Sequence, residues 1–330
     1  MLQFGLADND SQPDASFLTD GTTLAGTSFS RPLNKYGTGM LTVAGNATYT
    51  GGTSIFGGVL QLGNGGTNGS ILGNVAFCSD AGNPLCDPST NKMLVFNRSD
   101  IYTFDGAISG PGQVVQFGPG KTVLTAVSTY TGPTFVNAGT LSVNGSITSS
   151  VFVNAGGTLG GNGTVGPTAI LAGGTLSPGN SVGTLTVNGN LVFAAASLYM
   201  VEVQGNTADR TNAGGTATLA GTVGVVNLGG IPVRSYTILS AGAGRIGTFN
   251  SVTAVNLPAF LTASLAYTPT DVQLTLTSGI GQIAGLTLNQ SAVAPRSTPR
   301  STPAVGPCPV CSASVPPSFR QPWTRSPAKA

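Results

Sequence analysis

The residues most suggestive of chemistry are Gly242, Gly244 and Gly247, which satisfy the G-x-G-x-x-G pattern of dinucleotide-binding loops. Such a loop needs a helix directly after its glycines, because the helix N-terminus binds the pyrophosphate. The residues from 248 to 258 are instead rich in β-branched and turn-forming types and end at a proline. We therefore interpret the pattern as a glycine-rich turn between two strands, and we predict no bound cofactor.

A second motif, G-x-S-x-G, places Ser181 between Gly179 and Gly183 in the arrangement of a nucleophile elbow. A serine nucleophile needs a general base beside it, and the chain contains no histidine. The same absence removes Ser-His-Asp catalysis, Cys-His catalysis and the histidine-based zinc sites. We therefore predict no catalytic residue, no metal-binding residue and no enzymatic activity.

Paired carboxylates remain as a source of acid-base chemistry, since two of them are enough to cleave a glycosidic bond. The 11 acidic residues are scattered, and none lies between residues 120 and 198. Four of them, Asp80, Asp87, Asp100 and Asp105, lie in an insertion between repeated segments. The main alternative, a β-helical enzyme that cleaves polysaccharides, requires these four to cluster along one groove.

Two pairs of cysteines could form covalent or metal links. Cys78 and Cys86 have seven residues between them, in a segment rich in Gly, Asn and Pro. They are candidates for a small loop disulfide in an oxidising compartment. Cys308 and Cys311 form a single C-x-x-C, which supplies only two metal ligands and lies in a proline-rich tail. We interpret this second pair as a chance feature.

The elements that must position any site are predicted to be strands. Only 7% of the 330 residues are charged and 49 are Gly, whereas surface helices are usually rich in Glu, Lys, Arg, Ala and Leu. This composition favours strands joined by tight turns, so the predicted class is all-β. Residues 1–290 contain no basic stripe, which argues against nucleic acid as a partner. The longest largely apolar stretch, Leu191–Val201, is too short to span a bilayer.

The middle of the chain repeats itself. Thr-Leu pairs recur at Thr140, Thr158 and Thr175, and each belongs to a short alternating run that is closed by Gly or Asn-Gly. Earlier, the sequence TYTGGTSIFGG from Thr48 aligns with TYTGPTFVNAG from Thr129. One strand-turn unit of this size cannot bury its apolar face alone, but stacked copies can, with like residues about 4.8 Å apart. The repeats therefore predict a solenoid, most simply a parallel β-helix, with a β-sandwich as the competing all-β fold.

The two ends of the chain differ from its middle. The first residues show no basic segment followed by an apolar one, so no secretory signal is predicted. From Leu198 to Ser278 the repeats fade but strand-like runs persist, as in SLYMVEVQG and DVQLTLTS. This is typical of a modified terminal segment that covers the last coil of a solenoid. From Pro295 the chain is rich in proline without apolar periodicity, and we predict that it is disordered.

The repeats quoted above resemble a known family. The runs YTGPTFVNAGTLSVNGSI, NAGGTLGGNGTVG and GGTLSPGNSVGTLTVNGN are similar to the autotransporter-associated β-strand repeat of Gram-negative type V secretion passengers. The stretch from Ser197 to Thr277 resembles the C-terminal passenger segment called the autochaperone region. Ala208-Asp209-Arg210 stands there where the family usually has Ser-Asp-Arg. The resemblance implies a right-handed parallel β-helix that is displayed on the cell surface or released.

The resemblance also predicts how the chain is divided. Residues 1–36 are a partial N-terminal segment, 37–197 form the β-helix repeats, and 198–279 form the autochaperone-like segment. Residues 280–330 begin as a linker and continue as the disordered tail. The β-barrel that follows the passenger in the family is not matched after Ala294, where the abrupt change of composition suggests a shifted reading frame.

The function that the resemblance implies is that of a non-enzymatic passenger fragment of an outer-membrane autotransporter, of the adhesin or virulence type. Its expected partners are a host-surface or carbohydrate ligand and the outer-membrane translocation machinery. The alternatives are the polysaccharide-cleaving β-helix and a phage-type binding fibre, which should form trimers. Folding is expected to begin in the 198–279 segment, since solenoid repeats contact only their neighbours and can propagate from one stable end.

Overall fold

A computed structural model describes residues 23–24, 32–79, 84–87 and 92–278 of the chain. Within these ranges every regular element is a β-strand, which confirms the all-β prediction. The tail that was predicted to be disordered, with Cys308 and Cys311, lies outside the described residues. The described part of the chain contains no helix with the length and apolar character that a membrane crossing requires.

The strands are short along most of the chain and longer near its C-terminal end. In chain order they are β1 (Thr23–Leu24), β2 (Leu33–Lys35), β3 (Met40–Val43), β4 (Thr53–Ile55), β5 (Val59–Leu62), β6 (Val75–Phe77), β7 (Met93–Phe96), β8 (Ile101–Phe104), β9 (Ile108–Ser109), β10 (Gln113–Gln116), β11 (Lys121–Leu124), β12 (Val127–Ser128), β13 (Thr134–Val136), β14 (Gly139–Val143), β15 (Ser146–Ile147), β16 (Val151–Val153), β17 (Gly157–Gly161), β18 (Thr164–Val165), β19 (Thr168–Ile170), β20 (Thr175–Pro178), β21 (Thr184–Val187), β22 (Leu191–Phe193), β23 (Leu198–Gln204), β24 (Thr207–Ala208), β25 (Arg210–Ala213), β26 (Ala217–Leu219), β27 (Thr222–Gly229), β28 (Ser235–Ala241), β29 (Arg245–Gly247), β30 (Ser251–Val255), β31 (Leu261–Tyr267) and β32 (Asp271–Ser278).

The strands stack into three long sheets, each following one side of a coil. The first sheet runs β1-β3-β5-β7-β10-β13-β16-β19-β22-β26-β29, the second runs β8-β11-β14-β17-β20-β23-β27-β30, and the third runs β12-β15-β18-β21-β25-β28-β32-β31. A shorter sheet, β2-β4-β6-β9, lies earlier in the chain. From β10 to β28 successive coils pair in parallel and each contributes one strand to each long sheet, as β13, β14 and β15 do, whereas β32 pairs antiparallel with both β28 and β31. This arrangement confirms the parallel β-helix and contradicts the β-sandwich, whose sheets are antiparallel.

The register of the coils explains the spacing of the repeats. Thr140 pairs with Thr158, which pairs with Thr175, so the recurring Thr-Leu pairs lie directly over one another in the second sheet. The similar run that starts at Thr184 falls at half this spacing because it belongs to the third sheet, where Thr186 pairs with Thr164. The spacing of the repeats therefore corresponds to one full coil. Half of that spacing corresponds to the step from a strand of the second sheet to the next strand, in the third sheet.

Inward-facing side chains form continuous columns inside the coil. One column in the second sheet contains Leu141, Leu159, Leu176, Tyr199 and Val223, and every one of them is fully buried. Alternation along each strand places these residues inside and the hydroxylated residues between them outside. Burial of a side chain such as Leu contributes about 1.5–3 kcal/mol relative to leaving it exposed. The columns therefore supply most of the stability of each coil.

Two coils that are far apart repeat the same polar contacts inside the fold. The Tyr49 hydroxyl lies 2.5 Å from the Thr53 hydroxyl, and the Tyr130 hydroxyl lies 2.6 Å from the Thr134 hydroxyl. Burial raises the pKa of Tyr130 to about 12. Each phenol therefore enters the core neutral, as a hydrogen-bonded group.

A fully buried lysine and glutamine occupy equivalent positions in these two coils. The Lys35 ammonium donates to the carbonyls of Tyr36 at 2.6 Å, Gly37 at 3.0 Å and Gly57 at 3.2 Å. The Gln116 amide donates to the carbonyls of Gly118 at 2.8 Å and Gly120 at 3.3 Å. Both side chains therefore satisfy carbonyl groups of the corner that follows their strand. The sequence did not indicate this role, since charged residues are usually exposed.

Lys35→Met is expected to lower the free energy of unfolding by about 1–3 kcal/mol, because the buried bond to the carbonyl of Gly57 and the part-buried bonds to those of Tyr36 and Gly37 are lost. Lys35→Gln is the matched control and should cost less than about 1 kcal/mol, since the equivalent Gln116 makes the same kind of bonds. Denaturant titration of the variants measures the difference. Equal losses in the two variants would show that the carbonyl contacts contribute nothing to stability.

Glycines allow consecutive coils to touch at one corner. Gly139 has a φ of +57°, and a Cβ there would lie 2.3 Å from the carbonyl oxygen of Gly120 in the preceding coil. Gly58 repeats the geometry against the carbonyl oxygen of Gly39, again at 2.3 Å. Only glycine fits both the backbone angle and the space at these positions.

Gly139→Ala should therefore destabilise the protein by about 1–3 kcal/mol more than Gly205→Ala. Gly205 has the same φ of +57°, but a Cβ at that position meets no atom within 4 Å. The control variant isolates the cost of the left-handed backbone, and the excess measures the clash between coils. The free energies of unfolding of the two variants, compared with that of the wild type, test this expectation, and equal losses would contradict it.

Candidate functional site

The glycine motif lies where the sequence predicted a turn. Residues 242–244 connect β28 to β29, and a strand, β30, follows instead of a helix. Arg245 within the motif donates from Nε to the carbonyl of Thr268 at 2.6 Å, and its guanidinium lies 4.6 Å from the centre of the Tyr267 ring. The motif therefore fixes the end of the coil against the β31–β32 hairpin and forms no phosphate-binding helix terminus.

The serine motif lies in a loop on the outside of the coil. Ser181 follows β20, and the loop is held by two backbone hydrogen bonds between Gly161 and Gly179, of 3.0 and 2.9 Å. The amide of Gly183 donates to the carboxylate of Asp209 at 2.8 Å. The glycines therefore shape a loop that crosses the preceding coil, whereas a nucleophile elbow would connect a strand to a helix.

Of the four carboxylates that the enzymatic alternative requires, the structure defines the surroundings of Asp100 best. Asp80 lies outside the described residues, and Asp100 forms an ion pair of 2.8 Å with Arg98. The Arg98 guanidinium also donates to the carbonyl of Gly69 at 3.0 Å and lies over the Tyr102 ring. Its hydrogen bond to Asp100 holds the pKa of that carboxyl below its ordinary value, so Asp100 is unsuited to the role of general acid. Among the described residues no three His, Cys, Asp or Glu side chains converge to hold a metal ion.

The structure brings the candidate cysteines together. Cys78 donates its backbone N–H to the carbonyl of Ile55, and Asp87, directly after Cys86, donates to the carbonyl of Phe56. Because both ends of the segment are attached to neighbouring carbonyls, the two cysteine Cα atoms lie 5.8 Å apart and their Sγ atoms 2.27 Å apart. This geometry is compatible with the disulfide that the sequence predicts, and the bond stays a prediction.

We expect purified, non-reduced protein to yield a linked peptide that contains Cys78 and Cys86. Reduction should lower the free energy of unfolding by about 2–3 kcal/mol, because the bond closes a small loop in the unfolded chain. Mass spectrometry before and after reduction gives the linkage, and denaturant titration gives the energy. The Cys78→Ser, Cys86→Ser double variant serves as the control and should not respond to reductant. Free thiols in protein kept in an oxidising buffer would contradict the prediction.

The outer face of the first sheet carries an apolar stripe, which we define as Val95, Val115, Phe135, Phe152, Ala169 and Val192. These six residues are register partners on consecutive coils. The rings of Phe135 and Phe152 stack with centroids 5.6 Å apart, and Val192 is 39% exposed, whereas Val95 and Val115 are buried. Outward positions of a solenoid are usually polar, so the part of this column from Phe135 to Val192 is a candidate interaction surface.

A buried aromatic cluster lies around Tyr199, where the middle coils meet the C-terminal coils. Tyr199 is fully buried between Phe193, at 5.4 Å between ring centroids, and Phe249, at 5.8 Å. Its hydroxyl donates to the carbonyl of Ile238 and lies 3.1 Å from the Thr211 hydroxyl. One side chain therefore joins three successive coils through both its ring and its hydroxyl.

Asp209 is a buried carboxylate that links separate parts of this region. One oxygen accepts the backbone N–H of Gly183 and the other accepts that of Glu202, both at 2.8 Å. Burial raises the pKa of Asp209 to about 7, and the two backbone hydrogen bonds oppose this rise only in part. Sequence analysis noted Asp209 only as part of a resemblance, because nothing local in the sequence shows which distant amides it accepts.

Two segments of the chain match a known family of repeats. Residues 33–62 and 114–143 match the family described as Passenger-associated-transport-repeat. The two matches contain Tyr49 and Tyr130, whose hydroxyls make equivalent contacts in the core. These matches confirm the predicted resemblance of the repeats to those of autotransporter passengers.

A curated relative matches about a third of the chain. The chain is 38% identical over 123 residues to the Adhesin BmaC autotransporter of Brucella suis biovar 1 (strain 1330). The alignment covers 33% of this chain and 3% of that protein. The chain therefore matches only a small part of the length of this relative.

Proposed function

We propose that the chain is a segment of a surface-displayed autotransporter passenger and that it acts as a non-enzymatic adhesin. The stacking of the matched repeats into one long parallel β-helix carries the proposal. A β-helix of this kind presents a long, rigid surface, and solenoids bind partners through the shape and chemistry of such surfaces. The relative, which is itself an adhesin by name, supports the same role.

The surface of the described coils fits a binding role better than a catalytic one. The apolar stripe offers contiguous area to a partner, whereas Asp100 is neutralised by Arg98 and the described residues provide no metal cluster. In this proposal the partners are a ligand on the host surface and the outer-membrane translocation machinery. The low charge of the chain is compatible with passage through a pore before folding. The passenger then works at the cell surface or after release from it.

Beads coated with the full chain are expected to adhere to cultured animal cells and to surfaces coated with extracellular-matrix glycoproteins. Beads that carry the same chain after reduction and heating should not adhere, because the stacked surface is lost. Adherence no greater than that of albumin-coated beads would overturn the adhesin role. Release of reducing ends from polysaccharides by the folded chain would favour the enzymatic alternative instead.

A further inference from the structure

A cleft of about 230 Å³ opens on the outer face of the second sheet. We propose that it binds a short segment of a glycan that carries a carboxylate group, which makes this cleft a ligand site of the proposed adhesin. Its lining includes Lys121 on β11, Thr140 on β14, Thr158 on β17, Ser177 on β20, Asn180 in the following loop and Glu202 on β23.

The cleft exists because one coil is longer than the two coils that precede it. Thr140 pairs with Thr158 and Thr158 with Thr175, but the next partner in the sheet is Leu198, five to six positions later than the preceding spacing predicts. The additional residues form the loop that carries Asn180 and Ser181. Its backbone bonds between Gly161 and Gly179 hold it across the outer face of β17. The loop therefore turns an open sheet face into a concave site.

The walls of the cleft are fixed before any ligand arrives. The Asn180 side-chain oxygen accepts from the Ser142 hydroxyl at 2.8 Å and from the Lys121 ammonium at 3.2 Å. Its amide nitrogen donates to the side chain of Asn144 at 2.7 Å. Beyond the loop, Asp209 bonds to the amides of both Gly183 and Glu202. A site that is ordered in advance loses less conformational entropy on binding.

The chemistry of the lining favours a polyhydroxylated ligand. The hydroxyls of Thr140, Thr158, Ser177 and Ser181 can each donate and accept hydrogen bonds, as sugar hydroxyls do. Pro178 is the one apolar side chain of any size in the lining, so the cleft lacks the apolar pockets that anchor a peptide. One lysine and one glutamate balance each other, so the cleft also lacks the net positive charge that nucleic acid requires.

The two charged residues define the orientation and type of glycan. Lys121 and Glu202 lie on strands that are four steps apart in the sheet, at about 4.8 Å per step. A ligand that reaches both is therefore extended along the axis of the coil and contains more than one sugar ring. The Lys121 ammonium retains donors beyond the bond to Asn180 and can pair with a sugar carboxylate. The Glu202 carboxylate can accept from hydroxyl or amide groups at the other end.

The test uses the full chain and oligosaccharides that carry glucuronate, galacturonate or sialate, with neutral oligosaccharides of equal length for comparison. We expect titration calorimetry to detect binding of at least one acidic oligosaccharide. Its neutral counterpart should bind at least tenfold more weakly. Lys121→Met, which nearly keeps the length of the side chain, should weaken binding of the acidic oligosaccharide at least tenfold. Thr158→Tyr, which fills the cleft from its floor, should abolish binding.

Thr218→Tyr is the matched control, since Thr218 faces outward on β26 in the first sheet, away from the cleft. This variant should bind the oligosaccharide as the wild type does. Lack of binding by every acidic oligosaccharide, or binding that both cleft variants retain, would overturn the proposal. Melting temperatures of all variants establish that they fold. If Thr158→Tyr does not fold, Lys121→Met still tests the site. Cell adhesion that survives both substitutions would leave the adhesin role intact and remove only the cleft from it.

Discussion

Deletion of residues 198–278 is expected to leave segment 114–197 sensitive to protease, whereas deletion of residues 33–113 should leave that segment resistant. The two deletions remove the same number of residues, and both retain the middle coils. Each also exposes one end of the stack, so exposure alone predicts similar effects. The expected difference is a large one, from rapid digestion of the middle coils in one variant to native-like resistance in the other.

The physical reason is that the C-terminal coils are built from longer strands and more local contacts. β23, β27 and β28 contain 7, 8 and 7 residues, whereas β13, β14 and β15 contain 3, 5 and 2. Longer strands give more ladder hydrogen bonds for each coil that closes. β31 and β32 also form an antiparallel hairpin around a short turn, in which the amide of Asp271 donates to the Thr268 hydroxyl at 2.8 Å. Local contacts cost little loop entropy, so this end can form first.

The middle coils have no comparable starting point. Each must close a loop of a whole coil before its short strands gain a partner, and a preformed coil beside it removes much of that cost. Limited proteolysis followed by mass spectrometry of peptides from 114–197 measures the outcome in both variants. Equal resistance of the middle coils in the two deletions would show that the C-terminal segment does not initiate folding, and the proposed autochaperone role would then fail.

The sequence predicted the fold because the coil is a repeating unit. The Thr-Leu pairs at Thr140, Thr158 and Thr175 gave the period, and alternation along each run gave the buried column. The glycine motif at Gly242 was also interpreted correctly, since β-branched residues and a proline after it are incompatible with a helix. These features are local or periodic, and a single sequence contains them in full.

The features that shape the candidate sites depend on contacts between distant residues. The extra length between Thr175 and Leu198 is visible in the sequence, but the folding of that loop across β17 to form a cleft is not. Lys35 contradicts the general tendency of lysine to remain exposed, because its partners are corner carbonyls that only the coil brings around it. Asp209 accepts amides from residues 26 and 7 positions away, and no pattern in the sequence specifies that pairing.

Asp209→Ala is expected to lower the free energy of unfolding by about 1–3 kcal/mol. The substitution removes the acceptor of the amides of Gly183 and Glu202, which are only partly buried, so each amide loses a hydrogen bond to a carboxylate without being fully desolvated. Hydrogen exchange provides a local measurement, because these two amides should lose protection before those in the Thr140 coil. Unchanged exchange at both amides would show that the carboxylate does not hold the loop and strand together.

The same residue should make stability depend on pH. Burial raises the pKa of Asp209 from 3.8 to about 7, so the folded protein binds the proton more tightly than the unfolded chain does. Its contribution to stability is therefore fully present below the unfolded pKa, and it is lost as the pH rises through the folded pKa of about 7. Asp271 changes the stability in the opposite direction. Hydrogen bonds, of which that from the Ser240 hydroxyl is the most important, lower the pKa of Asp271, so its contribution to stability is lost as the pH falls.

Denaturation midpoints measured from about pH 3 to about pH 9 should therefore fall as the pH rises from about 4 to about 7 in the wild type, level off above that, and stay flatter in Asp209→Asn. The difference between the two curves cancels groups that titrate alike in both proteins. Asp271→Asn is the matched control and should preserve the fall near neutrality while it changes the acidic end of the curve. A neutral-range slope that Asp209→Asn leaves unaltered would mean that the carboxylate is ionised in the folded state. In that event, the two backbone hydrogen bonds outweigh the desolvation that opposes them.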